Sequence, residues 1–226
     1  MTIAFSQIQD RILPMRGDIK DRRGLMAFQV AARRLAVETL GLQEEVTFTV
    51  TANTVITTLV YPPDQPKESL YIFKAEWLKS DGVTFEPIRI YNQDALKELT
   101  HHTHNNPGEM KGYTSDQGRF YPNRPPAVDT QVRAIVAYKP TGDFDEVDFG
   151  HEFEDALVEG ALSYFMRLPG PDKDMFSAEL SERRFLSEAS ALRGMVLIGD
   201  VGYLRASVKP RKHHFGGFMG QDKLRF

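Results

Sequence analysis

Between residues 18 and 41 the chain reads DIKDRRGLMAFQVAARRLAVETLG, and its apolar positions repeat with the period of a helix. Leu25, Phe28, Ala32, Leu35 and Thr39 are spaced by three or four residues, which puts them on one stripe with arginines opposite. Asp18 is placed to cap the first turn and Gly41 to stop the last. A helix over 18–41 is expected.

The period then switches to two. In EVTFTVTANTVITTLVYP, Val46, Phe48 and Val50 alternate with threonines, the pattern breaks at Ala52-Asn53, and it resumes over 55–61. This β-branched, aromatic-rich stretch predicts a hairpin. Pro62, Pro63 and Pro66 mark a loop. ESLYIFKAEWLKSDGVTFEPIRIYN predicts two more strands around Ser80-Asp81-Gly82, where glycine supplies the positive φ a tight turn needs. Asn92 caps a short helix over 93–102, with Ala95, Leu96 and Leu99 inward. HTHNNPGEMKGYTSDQG reads as loop. GRFYPNRPP reads as a strand interrupted by Pro122, because proline cannot donate in a central strand. TQVRAIVAYKP is a strand with Val132, Ala134, Val136 and Tyr138 on one face.

The helical period returns at 151–198. Phe153, Leu157, Ala161, Tyr164 and Leu168 form one stripe, with Gly160 allowing close approach of a neighbour. Ala178, Phe185, Ala189, Leu192 and Val196 form another. PGPDKD joins the two helices, so an antiparallel helix hairpin is expected. The elements are segregated rather than alternating: an α+β fold with a helical part (18–41, 93–102, 151–198) and a β-rich antiparallel insertion (44–91 and 118–140).

Residues 207–226, SVKPRKHHFGGFMGQDKLRF, keep no period long enough for a core. Residues 1–206 are therefore read as one domain and 207–226 as an extended C-terminal arm. The arm carries Val208, Phe215, Phe218, Met219, Leu224 and Phe226 among Lys209, Arg211, Lys212, His213, His214 and Arg225. Disordered tails are depleted in aromatics, so three phenylalanines in twenty residues point to a binding segment. Its extended reach is roughly 65 Å, enough to cross a neighbouring protein.

Composition narrows the picture further. At 226 residues, 41% hydrophobic and 26% charged, the chain is globular rather than disordered. No apolar run approaches the ~20 residues that cross a bilayer, and the N-terminal stretch has no uninterrupted apolar core of a signal peptide. The absence of cysteine removes disulfides, thiolate zinc sites and thiol nucleophiles, and fits assembly in a reducing cytoplasm. The net charge of −3 conceals an asymmetry. Thr141–Gly160 holds eight acids and no Lys or Arg, whereas 201–226 holds six basic residues and one acid. Such segregation can orient head-to-tail contacts between subunits, which makes Asp143, Asp145, Glu146 and Asp148 candidate inter-subunit residues. No basic face for nucleic acid is legible on the folded body.

Catalytic chemistry finds little purchase. His101, His102 and His104 could seat a metal, and a small metal-dependent hydrolase centred on them is the reading from another class; Glu98 and Glu109 are the only nearby carboxylates, with no ligand set at defined spacing. His151, Glu152, Glu154 and Asp155 resemble an acid–base group, but carboxylates at a helix N-terminus offset its macrodipole without any further role. Gly194, Gly199 and Gly202 do not follow a strand, so they make no phosphate loop. No nucleophile elbow or paired-histidine zinc motif is present. No catalytic residue, metal or cofactor is assigned. The loops YPPDQPKE and YPNRPPAV are either connectors or tips that touch a partner.

Three stretches together resemble one family. FGHEFEDALVEGALSYFMRLPGPDKDMFSAELSERRFLSEASALR is similar to the terminal helix pair of head–tail connector proteins of tailed bacteriophages, also called neck or adaptor proteins. LYIFKAEWLKSDGVTFEPIRIYNQDALKEL resembles the family's paired strands and short helix, and GRFYPNRPPAVDTQVRAIVAYKP its strand, proline-rich turn and strand before an acidic linker. The likeness is one of order, spacing and texture, over roughly residues 15–195. It implies a non-enzymatic virion protein at the head–tail interface, assembled in the host cytoplasm. The family forms a ring, here expected to be dodecameric, that continues the DNA channel and docks its arm on the portal protein. Neck or tail proteins are further expected partners, DNA in the channel is a possible non-specific one, and no membrane is involved. A tail-completion or baseplate component is the alternative within structural proteins.

Overall fold

The computed structural model describes residues 2–12, 22–61, 66–91, 107–170 and 173–198. A short strand β1 (Ile3–Ala4) leads into α1 (Phe5–Ile12) and then α2 (Arg22–Thr39). The β part follows as β2 (Gln43–Val50), β3 (Thr57–Thr58), β4 (Lys67–Leu78), β5 (Phe85–Ile90), β6 (Gly112–Asp116), β7 (Arg119–Pro122) and β8 (Thr130–Pro140). β9 (Glu146–Val147), a 3-10 turn (His151–Phe153), α3 (Glu154–Phe165) and α4 (Met175–Ile198) complete the order. This is a mixed α+β fold.

α2 is buried at Phe28, Ala32, Leu35 and Thr39 as its stripe predicts, and Leu25 packs at the margin. Ala27, Ala31 and Ala36 are buried as well, because α2 is covered by both α3 and α4 and needs a wider apolar face than one stripe. Its end differs from expectation. Leu40, not Gly41, takes the left-handed conformation (φ 56°). Thr39 Oγ1 donates to the Leu35 carbonyl at 2.6 Å and accepts from the Gly41 amide at 3.1 Å, which closes the helix. Gly41 is needed for space, since a Cβ there would lie 2.7 Å from the Phe153 ring. Asp18 lies outside the described residues, as does the helix expected over 93–102.

The hairpin expected within 46–61 does not form. β2 pairs along its whole length with β8, from Gln43↔Ala137 to Val50↔Thr130. β3 pairs instead with β7. The chain between them is tied elsewhere: the Ala52 amide donates to Asp129 Oδ1 at 2.8 Å and the Asn53 amide to the Pro126 carbonyl at 2.9 Å. The full order is β2-β8-β4-β5-β6-β7-β3, so β8 and β4, far apart in sequence, are neighbours. The β4–β5 hairpin is where the sequence puts it, with Leu78↔Phe85 flanking the turn. Asp81 Oδ1 accepts from the Val83 and Thr84 amides, and Gly82 sits at φ 69°.

Two expectations for this region are corrected. The stretch assigned to loop contains β6, which pairs in parallel with β5, so the sheet is mixed rather than antiparallel and its second part begins at 112. β6 and β7 make a hairpin around Gln117 (φ 48°) and Gly118 (φ 70°), two left-handed residues in the manner of a two-residue hairpin turn. The polar run Thr114-Ser115-Asp116 hid the strand. Its side chains are used internally: Ser115 Oγ accepts from the Ile72 amide at 3.1 Å, and the Tyr113 hydroxyl donates to the Ile72 carbonyl at 3.3 Å. The hairpin therefore folds over β4 and closes a β core of Val50, Ile72, Tyr113, Phe120, Val132 and Val136.

A second core lies between the helices and the other end of β8, where Tyr138 joins Phe28, Leu35, Phe149, Phe153, Leu157 and Phe185. Contacts between α3 and α4 pair Glu159 with Arg184, Gly160 with Phe185, Ser163 with Glu182 and Met166 with Asp174. Ala178, Phe185, Ala189, Leu192 and Val196 all face inward as their spacing predicts.

Candidate functional site

Residues 141–149 leave β8 as a strap across α2 and α1, and their hydrophobic positions explain why. Val147 and Phe149 are buried, and Phe144 rests 6.0 Å from the Phe28 ring. The backbone is fixed at several points. Arg33 donates to the carbonyls of Pro140 (3.2 Å) and Gly142 (2.7 Å), and Gln29 Nε2 donates to that of Phe144 (2.8 Å). β9 pairs with β1, and the Phe5 amide donates to the Asp145 carbonyl at 2.7 Å. Asp143, Asp145, Glu146 and Asp148, interleaved with those inward residues, are all exposed. None of the four has an ion-pair partner among the described residues. The result is a row of carboxylates presented on a held backbone. Beside it, Arg22, Arg23, Leu25, Met26 and Arg33 line an open groove of about 920 Å³ that Asp143, Phe144 and Asp145 close on one side.

The other acids at the start of α3 are used within the fold. Arg11 of α1 reaches Glu154 Oε1 at 2.7 Å and Asp155 Oδ1 at 2.6 Å. His151 is exposed, 3.9 Å from Glu154. This is an inter-helix clasp and not an acid–base pair. The proline-bearing segment YPNRPPAV is tied to the body, its Pro125 carbonyl accepting from the Gly108 amide at 3.0 Å, while its Arg124 is exposed. The core of YPPDQPKE, residues 62–65, lies outside the described residues, as do His101, His102 and His104 and the whole arm with its candidate binding residues. Among the described residues no group of three His, Asp, Glu or Cys is arranged to hold a metal, and no helix is long and apolar enough to cross a membrane.

Two features escaped sequence reasoning. The first joins three helices through Glu182 on α4. Its carboxylate accepts from Arg34 Nη1 and Nη2 of α2 (3.0 and 2.5 Å) and from Ser163 Oγ of α3 (2.7 Å), with Arg167 at 3.7 Å. The Arg34 hydrogen bond holds the Glu182 carboxyl well below the usual range, at about 2. A depressed folded pKa contributes stability present above the unfolded value of about 4.3 and lost as pH falls toward 2. For a carboxylate whose side chain is only 18% exposed that contribution is on the order of 2–3 kcal/mol. Glu182→Gln is expected to lower stability at pH 7 by about 2 kcal/mol and to remove most of the loss between pH 5 and pH 2.5. Urea midpoints at the two pH values check this; parallel pH profiles for both proteins would contradict it.

The second feature is a basic patch. Arg89 at the end of β5, Lys111 before β6 and Arg124 after β7 are exposed, and none has a carboxylate partner among the described residues. Their backbones are adjacent. The Arg89 amide donates to the Lys111 carbonyl at 3.3 Å, and Asn123 Oδ1 accepts from the Lys111 amide at 3.0 Å. The Arg124 side chain lies against Gly108, 3.8 Å from where a Cβ would sit. Glu109 is the one acid in the described stretch 107–115, which leaves the patch net positive. A face built from three separate segments has no signature in the linear sequence. No protein-family model matches this chain, and no curated protein matches it.

Proposed function

We propose that this chain is a structural subunit of the head-to-tail connector of a tailed bacteriophage, assembling as a ring below the portal and continuing the DNA channel. The observation that carries the reading is the acidic strap. Four carboxylates sit on a backbone anchored by Arg33, Gln29 and β1, yet none of them is used within the described fold. A fixed row of exposed carboxylates without direct ion-pair partners, bordered by the groove that Arg22 and Arg23 line, suits a heterologous contact, in which one face of a subunit meets a different face of the next. The antiparallel helix hairpin of α3 and α4 and an extended arm over 207–226 belong to the same reading, with the arm docking on the portal. The dodecameric order follows from matching a portal of that symmetry. The role is non-enzymatic, in the virion neck.

Reversing Asp145, Glu146 and Asp148 to lysine tests the strap. All three side chains are exposed and bear no internal ion pair among the described residues, so the subunit is expected to stay folded while assembly weakens at least tenfold. Light scattering of the variant beside the parent measures it, and unchanged assembly with a retained fold would count against the strap as an interface.

A further inference from the structure

We infer that the basic patch of Arg89, Lys111 and Arg124 is the surface that receives the acidic strap of a neighbouring copy. The inference rests on the ring reading and names the second half of its contact. The two surfaces lie at different ends of the molecule. The strap begins where β8 ends at Pro140, beside Lys67 at the start of β4, against the helices. The patch belongs to the other end. The Gly108 amide is bonded to Pro125 and the Asn53 amide to Pro126, which sets the loops carrying Arg124 and Lys111 beside the far end of β2, at Val50↔Thr130.

The strap thus presents four exposed carboxylates, with the exposed Arg22 and Arg23 across the groove beside Asp143 and Asp145, and the patch three exposed cations. Within a subunit the two do not meet, because neither set has an opposite-charge partner among the described residues. Opposite charges at opposite ends are the arrangement that lets copies join head to tail, and a head-to-tail contact closes into a ring when its rotation divides the circle. Strap carboxylates against strap carboxylates, or patch cations against patch cations, set like charges together, which disfavours the two-fold alternative. Exposed Ile90, next to Arg89, gives the contact an apolar element beside its charges. The second copy is favoured over duplex DNA as occupant because the chain itself carries a surface of opposite sign on a backbone held by Arg33, Gln29 and β1.

The experiment uses the full-length chain in three forms: parent, Arg89→Glu/Lys111→Glu/Arg124→Glu, and an equimolar mixture of that triple variant with the lysine-reversed strap variant. Mass photometry at fixed ionic strength reads the oligomer distribution, and far-UV circular dichroism verifies the fold. The parent is expected to assemble and the triple variant to remain monomeric. In the mixture the reversed patch meets the reversed strap, and the parental strap of the triple variant meets the parental patch of the strap variant, so alternating hetero-oligomers, heterodimers among them, appear that neither variant forms alone. Several outcomes would overturn the inference. If the folded triple variant assembles like the parent, the patch is not the contact, while the ring reading stands. If the mixture forms no heterodimer although both variants are folded, the two surfaces are not partners. If the triple variant assembles normally but loses retention of a 30-base-pair DNA duplex that the parent binds, the patch serves nucleic acid. A parent that stays monomeric throughout, with and without portal protein, removes the ring reading together with this contact.

Discussion

Removal of residues 207–226 is expected to abolish attachment to the portal while leaving the body folded. The physical basis is where burial occurs. Among the described residues the two cores run from Ile3 to Val196, and the sequence keeps no core-forming period beyond 207. Thermal stability of the truncated protein should therefore fall by no more than about 1 kcal/mol, the range of changes away from packed features. The arm combines six large apolar side chains, Val208, Phe215, Phe218, Met219, Leu224 and Phe226, with Lys209, Arg211, Lys212 and Arg225. Its length has consequences too: the sequence from 207 can reach across a neighbouring protein without unfolding the body. Co-sedimentation with portal protein should drop from saturation to background on truncation. Retained co-sedimentation would show that the docking segment lies elsewhere, and a collapse in melting temperature would show that the arm is part of the fold.

Phe185→Ala is expected to cost about 3–5 kcal/mol, a large share of the ~5–15 kcal/mol that holds a domain of ordinary size together. The side chain is completely buried at the junction of three helices. Gly160 of α3 brings its backbone so near that an added Cβ would stand 2.8 Å from the Phe185 ring and 3.2 Å from the Ala31 Cβ. On the other side the Arg34 guanidinium lies 4.8 Å from the ring centroid while it grips Glu182. Truncation leaves a cavity that the two helices cannot close, because Arg34 and Glu182 hold their spacing. It also removes the aromatic face beneath a partly desolvated cation. Urea unfolding at pH 7 should show a lower midpoint at unchanged slope. A loss under about 1 kcal/mol would mean that α3 and α4 repack freely and that the helical junction is not rigid.

What the sequence disclosed follows from how local the governing physics is. α2, α4 and β8 were legible because their burial patterns repeat within the element itself, as Phe28, Ala32 and Leu35 or Val132, Ala134 and Val136 show. The Asp81-Gly82 turn was legible because its chemistry sits in two adjacent residues. The misassigned pieces depend on distant partners. β2 alternates as a hairpin strand would, yet its pairing partner lies some ninety residues downstream in β8, and nothing in Val46 or Phe48 encodes that choice. β6 is a strand because Ser115 and Tyr113 bond to Ile72, a contact invisible to a polar, turn-like sequence. Gly41 looked like a helix stop and is instead a clearance for Phe153. The acidic strap was legible as a charge run, but its anchoring by Arg33 and Gln29 was not. The basic patch was not legible at all, because Arg89, Lys111 and Arg124 become neighbours only through the parallel pairing of β5 with β6 and the bond from Lys111 to Asn123.

The central claim is that subunits complete one another, and particle symmetry tests it most directly. Electron microscopy of the purified full-length chain, alone and mixed with portal protein, should show closed rings with an axial channel, twelve-fold when seated on a portal of that order. Monomers in both preparations, at concentrations where portal itself is intact, would contradict it.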